Sequence, residues 1–119
     1  MKKLYVSVLW LLMGAGTALA QCNGFIFKIK EGKLAKHDNN GNYRGSITND
    51  VSDFDCNPEY VFVVKTNGKL MKYDFNGNYR GSVTGDVSRV RVSGEMLIVT
   101  KTNGKTCKYD FNGNYRGSI

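Results

Sequence analysis

The chain has 119 residues, 41% hydrophobic and 23% charged, and its 17 lysines and arginines outweigh 10 acidic residues to give a net charge of +7. That length suits one domain with a thin core and is too short for two. A single histidine, His37, and three cysteines without zinc-ligand spacing leave no multi-histidine or thiolate metal centre.

Residues 1–20 read as a secretory signal peptide. Met1, Lys2 and Lys3 precede an apolar run from Leu4 to Met13, and small side chains at Ala18 and Ala20 suit signal-peptidase pockets. Cleavage is expected before Gln21, leaving residues 21–119 as one β-repeat domain. The apolar run is shorter than the ~20 residues of a membrane span, so no transmembrane segment is expected. Export implies a periplasmic or secreted protein. The sequence Leu19-Ala20-Gln21-Cys22 also grazes a lipoprotein signal, with Cys22 as the anchor, but Gln21 departs from the small residue such signals place there.

Removing Lys2 and Lys3 leaves a mature charge of +5, concentrated in the last two repeats. A basic face can meet acidic glycans or an anionic surface, and export argues against nucleic acid. Cys22, Cys56 and Cys107 lie in a compartment that permits disulfides. Cys107 falls at the repeat position of Ala35 and Met71, a core position, so Cys22 and Cys56 are the expected pair. A reactive-thiol role has no neighbouring base to support it.

Gly41, Gly77 and Gly113 recur at 36-residue intervals, each inside Asp-x-Asn-Gly-Asn-Tyr-Arg-Gly-Ser. Residues 65–83 and 101–119 are identical at 16 of 19 positions, a sign of recent duplication. Such a period predicts a repeat architecture. Units near 25–59, 60–95 and 96–119 each resolve into short strands. The first, Tyr60 to Lys65 in the middle copy, is continuously apolar, as a strand covered on both faces requires. Asn67-Gly68 then supplies a hairpin turn. Lys69 to Asp74 alternates, with Met71 and Tyr73 on one side; Tyr79 to Thr84 and Val87 to Ser93 follow, the last with Val90 and Val92 inward and Arg89 and Arg91 outward. The third copy ends before its fourth strand, so eleven strands are expected in all.

The apolar strand, Asn-Gly turn, Lys72-Tyr73-Asp74 strand and Phe75-to-Ser82 turn resemble blades of β-propellers, NHL-like or of the bacterial WG-repeat kind, with Leu70-Met71 where the latter carries Trp-Gly. The resemblance implies an all-β fold of three four-stranded antiparallel units in a propeller-like assembly, with a pseudo-threefold β-prism or β-trefoil as the alternatives. Propellers close with about 4 to 8 blades. Three units would therefore need a partner, and two chains would make a six-bladed ring, so a propeller-like chain is expected to form a homo-oligomer.

Candidate chemistry centres on the recurring turns. Asn40, Asn42 and Arg44, with Asn76, Asn78 and Arg80 and with Asn112, Asn114 and Arg116, form the expected ligand-binding set. Amides and a guanidinium suit sugar hydroxyls, the adjoining tyrosines suit sugar faces, and three copies add avidity. The same residue types also build ordinary turns. An EF-hand-like calcium loop is disfavoured because glycine comes fourth rather than sixth and the distal acidic ligand is missing. No catalytic residue is expected: His37 stands in the slot of Tyr73 and Tyr109, and Ser46, Ser82 and Ser118 are far from any nucleophile elbow. No cofactor or metal is expected. The sequence thus points to an exported, non-catalytic module that binds a glycan or an envelope protein, or alternatively to an assembly protein that oligomerises through open sheet edges.

Overall fold

A computed structural model describes residues 19–119. They form twelve strands in three antiparallel four-stranded sheets. Sheet 1 comprises β1 (Leu19–Cys22), β2 (Phe25–Lys30), β3 (Lys33–His37) and β4 (Tyr43–Ser46). Sheet 2 comprises β5 (Val51–Cys56), β6 (Val61–Lys65), β7 (Leu70–Tyr73) and β8 (Tyr79–Thr84), and sheet 3 comprises β9 (Val87–Ser93), β10 (Met96–Lys101), β11 (Thr106–Asp110) and β12 (Tyr115–Ser118). Within each sheet the strands follow chain order, the meander of a propeller blade. The first strands of successive sheets lie side by side, β1 against β5 and β5 against β9, as the inner strands of blades do.

The count differs from expectation by one strand. The twelfth strand is β1, which pairs Gln21 with Ile26 and Cys22 with Phe25. Four residues are too few to show an alternation, and they precede the first repeat. Leu19 and Ala20 of this strand belong to the expected signal peptide, whose residues 1–18 lie outside those described. The grouping also shifts. The strand read as closing the second unit, Val87–Ser93, pairs with β10 and opens sheet 3. Sheet and sequence repeat are therefore offset by one strand. The physical cause is the short connection at Gly85 and Asp86: Asp86 takes a positive φ of 56°, and its carbonyl accepts the amide of Thr102 at 2.8 Å, tying the chain to the next sheet. Asp50, also at 56°, does the same for Thr66.

Two cores fill the spaces between sheets. Phe27 and Leu34 of sheet 1 meet Phe54, Val61, Val63 and Tyr73 of sheet 2. On the other side of sheet 2, Phe62, Val64 and Leu70 meet Val90, Leu97, Val99 and Tyr109 of sheet 3. The middle sheet is thus covered twice, which is why four consecutive residues, Val61 to Val64, are buried. In β10 only Leu97 and Val99 are buried, while Met96 and Ile98 point to the open side and are half-buried. The same alternation that decides which side chains pack decides which sheets have a free face.

The packing is wedged by aromatic rings. Phe75 stacks on Phe27 with centroids 5.6 Å apart, and Phe111 stacks on Phe62 at 5.4 Å. Cys22 and Cys56 form a disulfide that joins β1 to β5 across 34 residues. In the chain-entropy picture a loop of that length gains about 3–4 kcal/mol of stability. Cys107 is a free, buried thiol facing the second core.

Phe62 is fully buried and lies at the centre of the second joint. Phe62→Ala is expected to lower stability by about 3–5 kcal/mol, through lost transfer energy and an uncollapsed cavity. Urea denaturation followed by tyrosine fluorescence measures it; a loss under 1 kcal/mol would show that the sheets are not packed through this ring.

Candidate functional site

Of the nine residues singled out in sequence, the six asparagines lie on three equivalent turns, between β3 and β4, β7 and β8, and β11 and β12, and Arg44, Arg80 and Arg116 lie at the start of the strand that follows each. Each turn is organised by its aspartate. Asp74 Oδ1 accepts the main-chain N–H groups of Asn76 and Asn78, both at 2.9 Å, and Oδ2 accepts Asn78 Nδ2 at 3.0 Å and Arg80 Nη2 at 2.9 Å. Asp38 gathers Asn40, Asn42 and Arg44 in the same way, and Asp110 gathers Asn112, Asn114 and Arg116. Short-range reasons explain the form: an Asp side chain caps amides two and four residues on, and Gly77 supplies the positive φ of 87° that closes the turn.

This changes what the nine residues offer. Asn42, Asn78 and Asn114 spend a side-chain N–H on their own aspartate, so they are braces of the turn. Arg44, Arg80 and Arg116 form ion pairs with those aspartates at 2.8 to 2.9 Å, yet more than half of each arginine side chain remains exposed. Asn40, Asn76 and Asn112 contribute main-chain N–H groups, and among the described residues their carboxamides make no side-chain hydrogen bond in the turn. The structure brings together the residues of each turn but does not merge the three turns into one pocket. A shallow depression of about 270 Å³ lies beside the second turn, lined by Met71, Tyr79, Ser82 and Thr84 among others.

The carboxyl groups respond to this wiring. The main-chain amide of Asn78 leads the interactions that lower the Asp74 pKa from an ordinary 3.8 to about 2; desolvation opposes it, and the side-chain N–H groups of Asn78 and Arg80 and the amide of Asn76 restore the lowering. Asp38 and Asp110 are lowered to about 2 by the corresponding groups, led by the amides of Asn42 and Asn114. A carboxylate held this low is ionised at every physiological pH and does not act as a general acid.

Reasoning from sequence missed a second set of recurring residues. Lys36 Nζ sits over the Phe25 ring at 4.7 Å and donates to the Phe75 carbonyl at 2.7 Å; Lys72 Nζ sits over Tyr60 at 4.5 Å and donates to the Phe111 carbonyl at 3.1 Å. Asp53 and Asp55 accept the β9 amides of Val90 and Val92 at 3.0 and 2.7 Å. These groups bind one sheet to the next. The available signal was the recurrence of lysine at 36, 72 and 108 beside the repeated turn. The turns themselves share that duty: a Cβ on Gly77 would lie 3.1 Å from the Ile47 carbonyl oxygen, whereas one on Gly41 would meet nothing within 4 Å.

No protein-family model matches the sequence, and comparison with curated proteins finds no match. Among solved structures the chain is similar to the N-terminal domain of Nup159, a β-propeller, with a TM-score of 0.64 over 86% of this chain. The identity is 12%, and the match covers 29% of that chain, so this chain spans under a third of its length. The likeness is one of fold: this is an all-β, propeller-like repeat.

Two measurements follow from the turns. Because the folded-state pKa values are depressed, the aspartates contribute stability above the ordinary carboxylate range, and that contribution fades as pH falls through about 2. The triple variant Asp38→Asn, Asp74→Asn, Asp110→Asn should be less stable at pH 7 and show a flatter stability profile between pH 4 and 2 in denaturant titrations; an unchanged slope would remove the aspartates as organisers. Gly41→Ala and Gly77→Ala share a left-handed strain of about 1–2 kcal/mol. Gly77→Ala alone also meets the Ile47 carbonyl, so its thermal midpoint should fall further, and equal losses would show that the turn is not seated on sheet 1.

Proposed function

We propose that this protein is an exported, non-catalytic binding module that recognises a glycan or an envelope protein through its three outer turns. One observation carries the reading. Among the described residues, three of the four large hydrophobic side chains that stand exposed are the same repeat position, Tyr43 at 63%, Tyr79 at 56% and Tyr115 at 56%. Each packs edge-on against the ring of His37, Tyr73 or Tyr109 and is followed in its strand by an arginine that is clamped by aspartate yet more than half exposed. Scattered exposed apolar residues need no explanation. A tyrosine, a pre-oriented guanidinium and an unengaged asparagine amide in each of three sheets form a repeated recognition unit.

The chemistry suits polyols. A tyrosine ring covers the apolar face of a sugar, and the arginine and asparagine N–H groups donate to hydroxyl or carboxylate oxygens. The aspartate clamp immobilises the arginine before the ligand arrives, so less rotamer entropy is lost on binding. Three weak sites on one rigid frame multiply affinity for an extended ligand. The chain's net positive charge favours acidic glycans over neutral ones. Nothing in the turns suits catalysis: the carboxyls have lowered pKa values, His37 packs edge-on against Tyr43, and Ser46 and Ser82 lie within strands.

The basic and apolar N-terminal sequence and the Cys22–Cys56 disulfide support a periplasmic or secreted setting over a lipid anchor at Cys22. No helix among the described residues is long and apolar enough to cross a membrane. The Asn-Gly turns and strand spacing support reading the blades as NHL-like or WG-like.

Titration of the protein against uronic-acid-containing and neutral oligosaccharides, by calorimetry, tests the reading. Acidic oligomers should bind, Arg80→Ala with Tyr79→Ala should weaken binding several-fold, and the same pair of changes in all three turns should abolish it. Equal heats from natural and triple-turn proteins would refute recognition by the turns.

A further inference from the structure

Apart from the turns, the two outward faces of the three-sheet array are unlike each other. At each internal joint the earlier sheet offers a socket and the later sheet a plug. The plug is the phenylalanine of the turn, Phe75 or Phe111, with apolar β-strand residues behind it. The socket is a ring for stacking, Phe27 or Phe62, and a lysine, Lys36 or Lys72, that clasps the carbonyl of the incoming phenylalanine.

The outward face of sheet 1 has lost its plug. Asn39 occupies the position of Phe75 and Phe111, and Gln21 Nε2 donates to its Oδ1 at 3.1 Å. Lys28 stands where β6 and β10 of the later sheets carry Val63 and Val99 toward the preceding sheet, and it is exposed. This face is closed off with polar groups, as the terminal unit of a repeat array requires.

The outward face of sheet 3 keeps its socket. Lys108 follows Lys36 and Lys72 at the same 36-residue spacing, and Ile98 and Met96 stand in the places of Phe62 and Tyr60. Among the described residues Lys108 Nζ has no carbonyl to clasp, and Ile98 and Met96 are half-buried with no sheet over them. One feature is reversed. Asp53 and Asp55 of sheet 2 accept amides from the incoming inner strand, and the matching positions of sheet 3 hold Arg89, which is exposed, and Arg91, whose Nη1 is already paired with Asp53 of sheet 2 at 2.9 Å. An arriving inner strand would therefore meet Arg89 with an acceptor, where β9 meets sheet 2 with donors.

We infer that the outward face of sheet 3 is a docking surface for a further β-sheet of the same repeat type, provided by a partner, which enters with an aromatic residue at its turn and carries a carboxylate on its inner strand opposite Arg89. Continuity with the two internal joints sets the geometry, and Arg89 and Lys108 set the charge. A second copy of this chain is the wrong occupant. Its sheet 1 would bring Asn39 instead of phenylalanine, and Lys28 and Lys30 against Arg89 and Lys108, an approach of like charges. The surface is separate from the outer turns, so it stands whether or not those bind glycans.

The socket can be tested by restoring a plug on the chain's own sheet 1. The variant Asn39→Phe with Lys28→Val changes two exposed residues and gives sheet 1 the side chains that β6, β10 and their turns carry. Light scattering over a concentration series should find the natural chain monomeric and the variant self-associating at least about tenfold more tightly, the scale of an aromatic anchor at an interface centre. Adding Lys108→Glu to the variant should return it to monomer. Three results would overturn the inference: no association of the variant, association that survives both Lys108→Glu and Ile98→Asp, or association of the natural chain that Lys108→Glu abolishes, which would make a second copy the occupant.

Discussion

The stacking of a turn phenylalanine under the aromatic ring of the sheet before it, Phe75 on Phe27 and Phe111 on Phe62, is the contact on which this structure depends. A four-stranded antiparallel sheet of short strands is not stable alone, because it has two faces and few residues to cover either. Here each sheet is covered by the next, and the phenylalanine fixes the separation and angle at which it sits. The lysine that clasps the phenylalanine carbonyl adds direction to an otherwise non-directional apolar contact. Stability is then built from joints rather than from sheets, and the same joint recurs because the sequence recurs.

The Asp-Asn-Arg turn serves that joint before it serves any ligand. Its aspartate collects main-chain and side-chain N–H groups so that the loop has one conformation, and that conformation delivers phenylalanine inward. The tyrosine and arginine that open the following strand stay exposed as a by-product of the same geometry. A repeated recognition surface can therefore arise without any separate constraint, once a joint has been duplicated. This is the physical basis for reading the turns as braced frames with an exposed tip, instead of nine independent ligand-binding side chains.

The ends of the array carry different chemistry from its middle. Sheet 2 has apolar residues on both faces, sheet 1 has polar substitutions on its outward face, and sheet 3 pairs a retained lysine and two half-buried apolar residues with the exposed Arg89. Duplication alone would have made all three alike. The differences at Asn39, Lys28 and Arg89 fit faces that meet something other than another sheet of this chain, water on one side and the proposed acidic partner surface on the other.

The sequence by itself determined the strands, the turns and the repeat, because these depend on contacts within a few residues: alternation decides a strand's faces, and Asn-Gly or Asp-x-Asn-Gly decides a turn. Val61 to Val64 announced a strand covered on both sides, and the repeat position of Cys107 marked it as a core residue. What only the tertiary structure decided is how strands divide into sheets and what the polar turn residues bond to. Val87–Ser93 has the same alternation whichever neighbour it pairs with, and the choice falls to the positive φ at Asp86 and its bond to Thr102. β1 is four residues without a pattern of its own, defined by pairing with β2. Asn78 and Arg80 look free as letters, but a carboxylate six residues or fewer away takes their N–H groups once the turn is closed. Pairing across space carries no period in the sequence, and so it became visible only when the sheets were assembled.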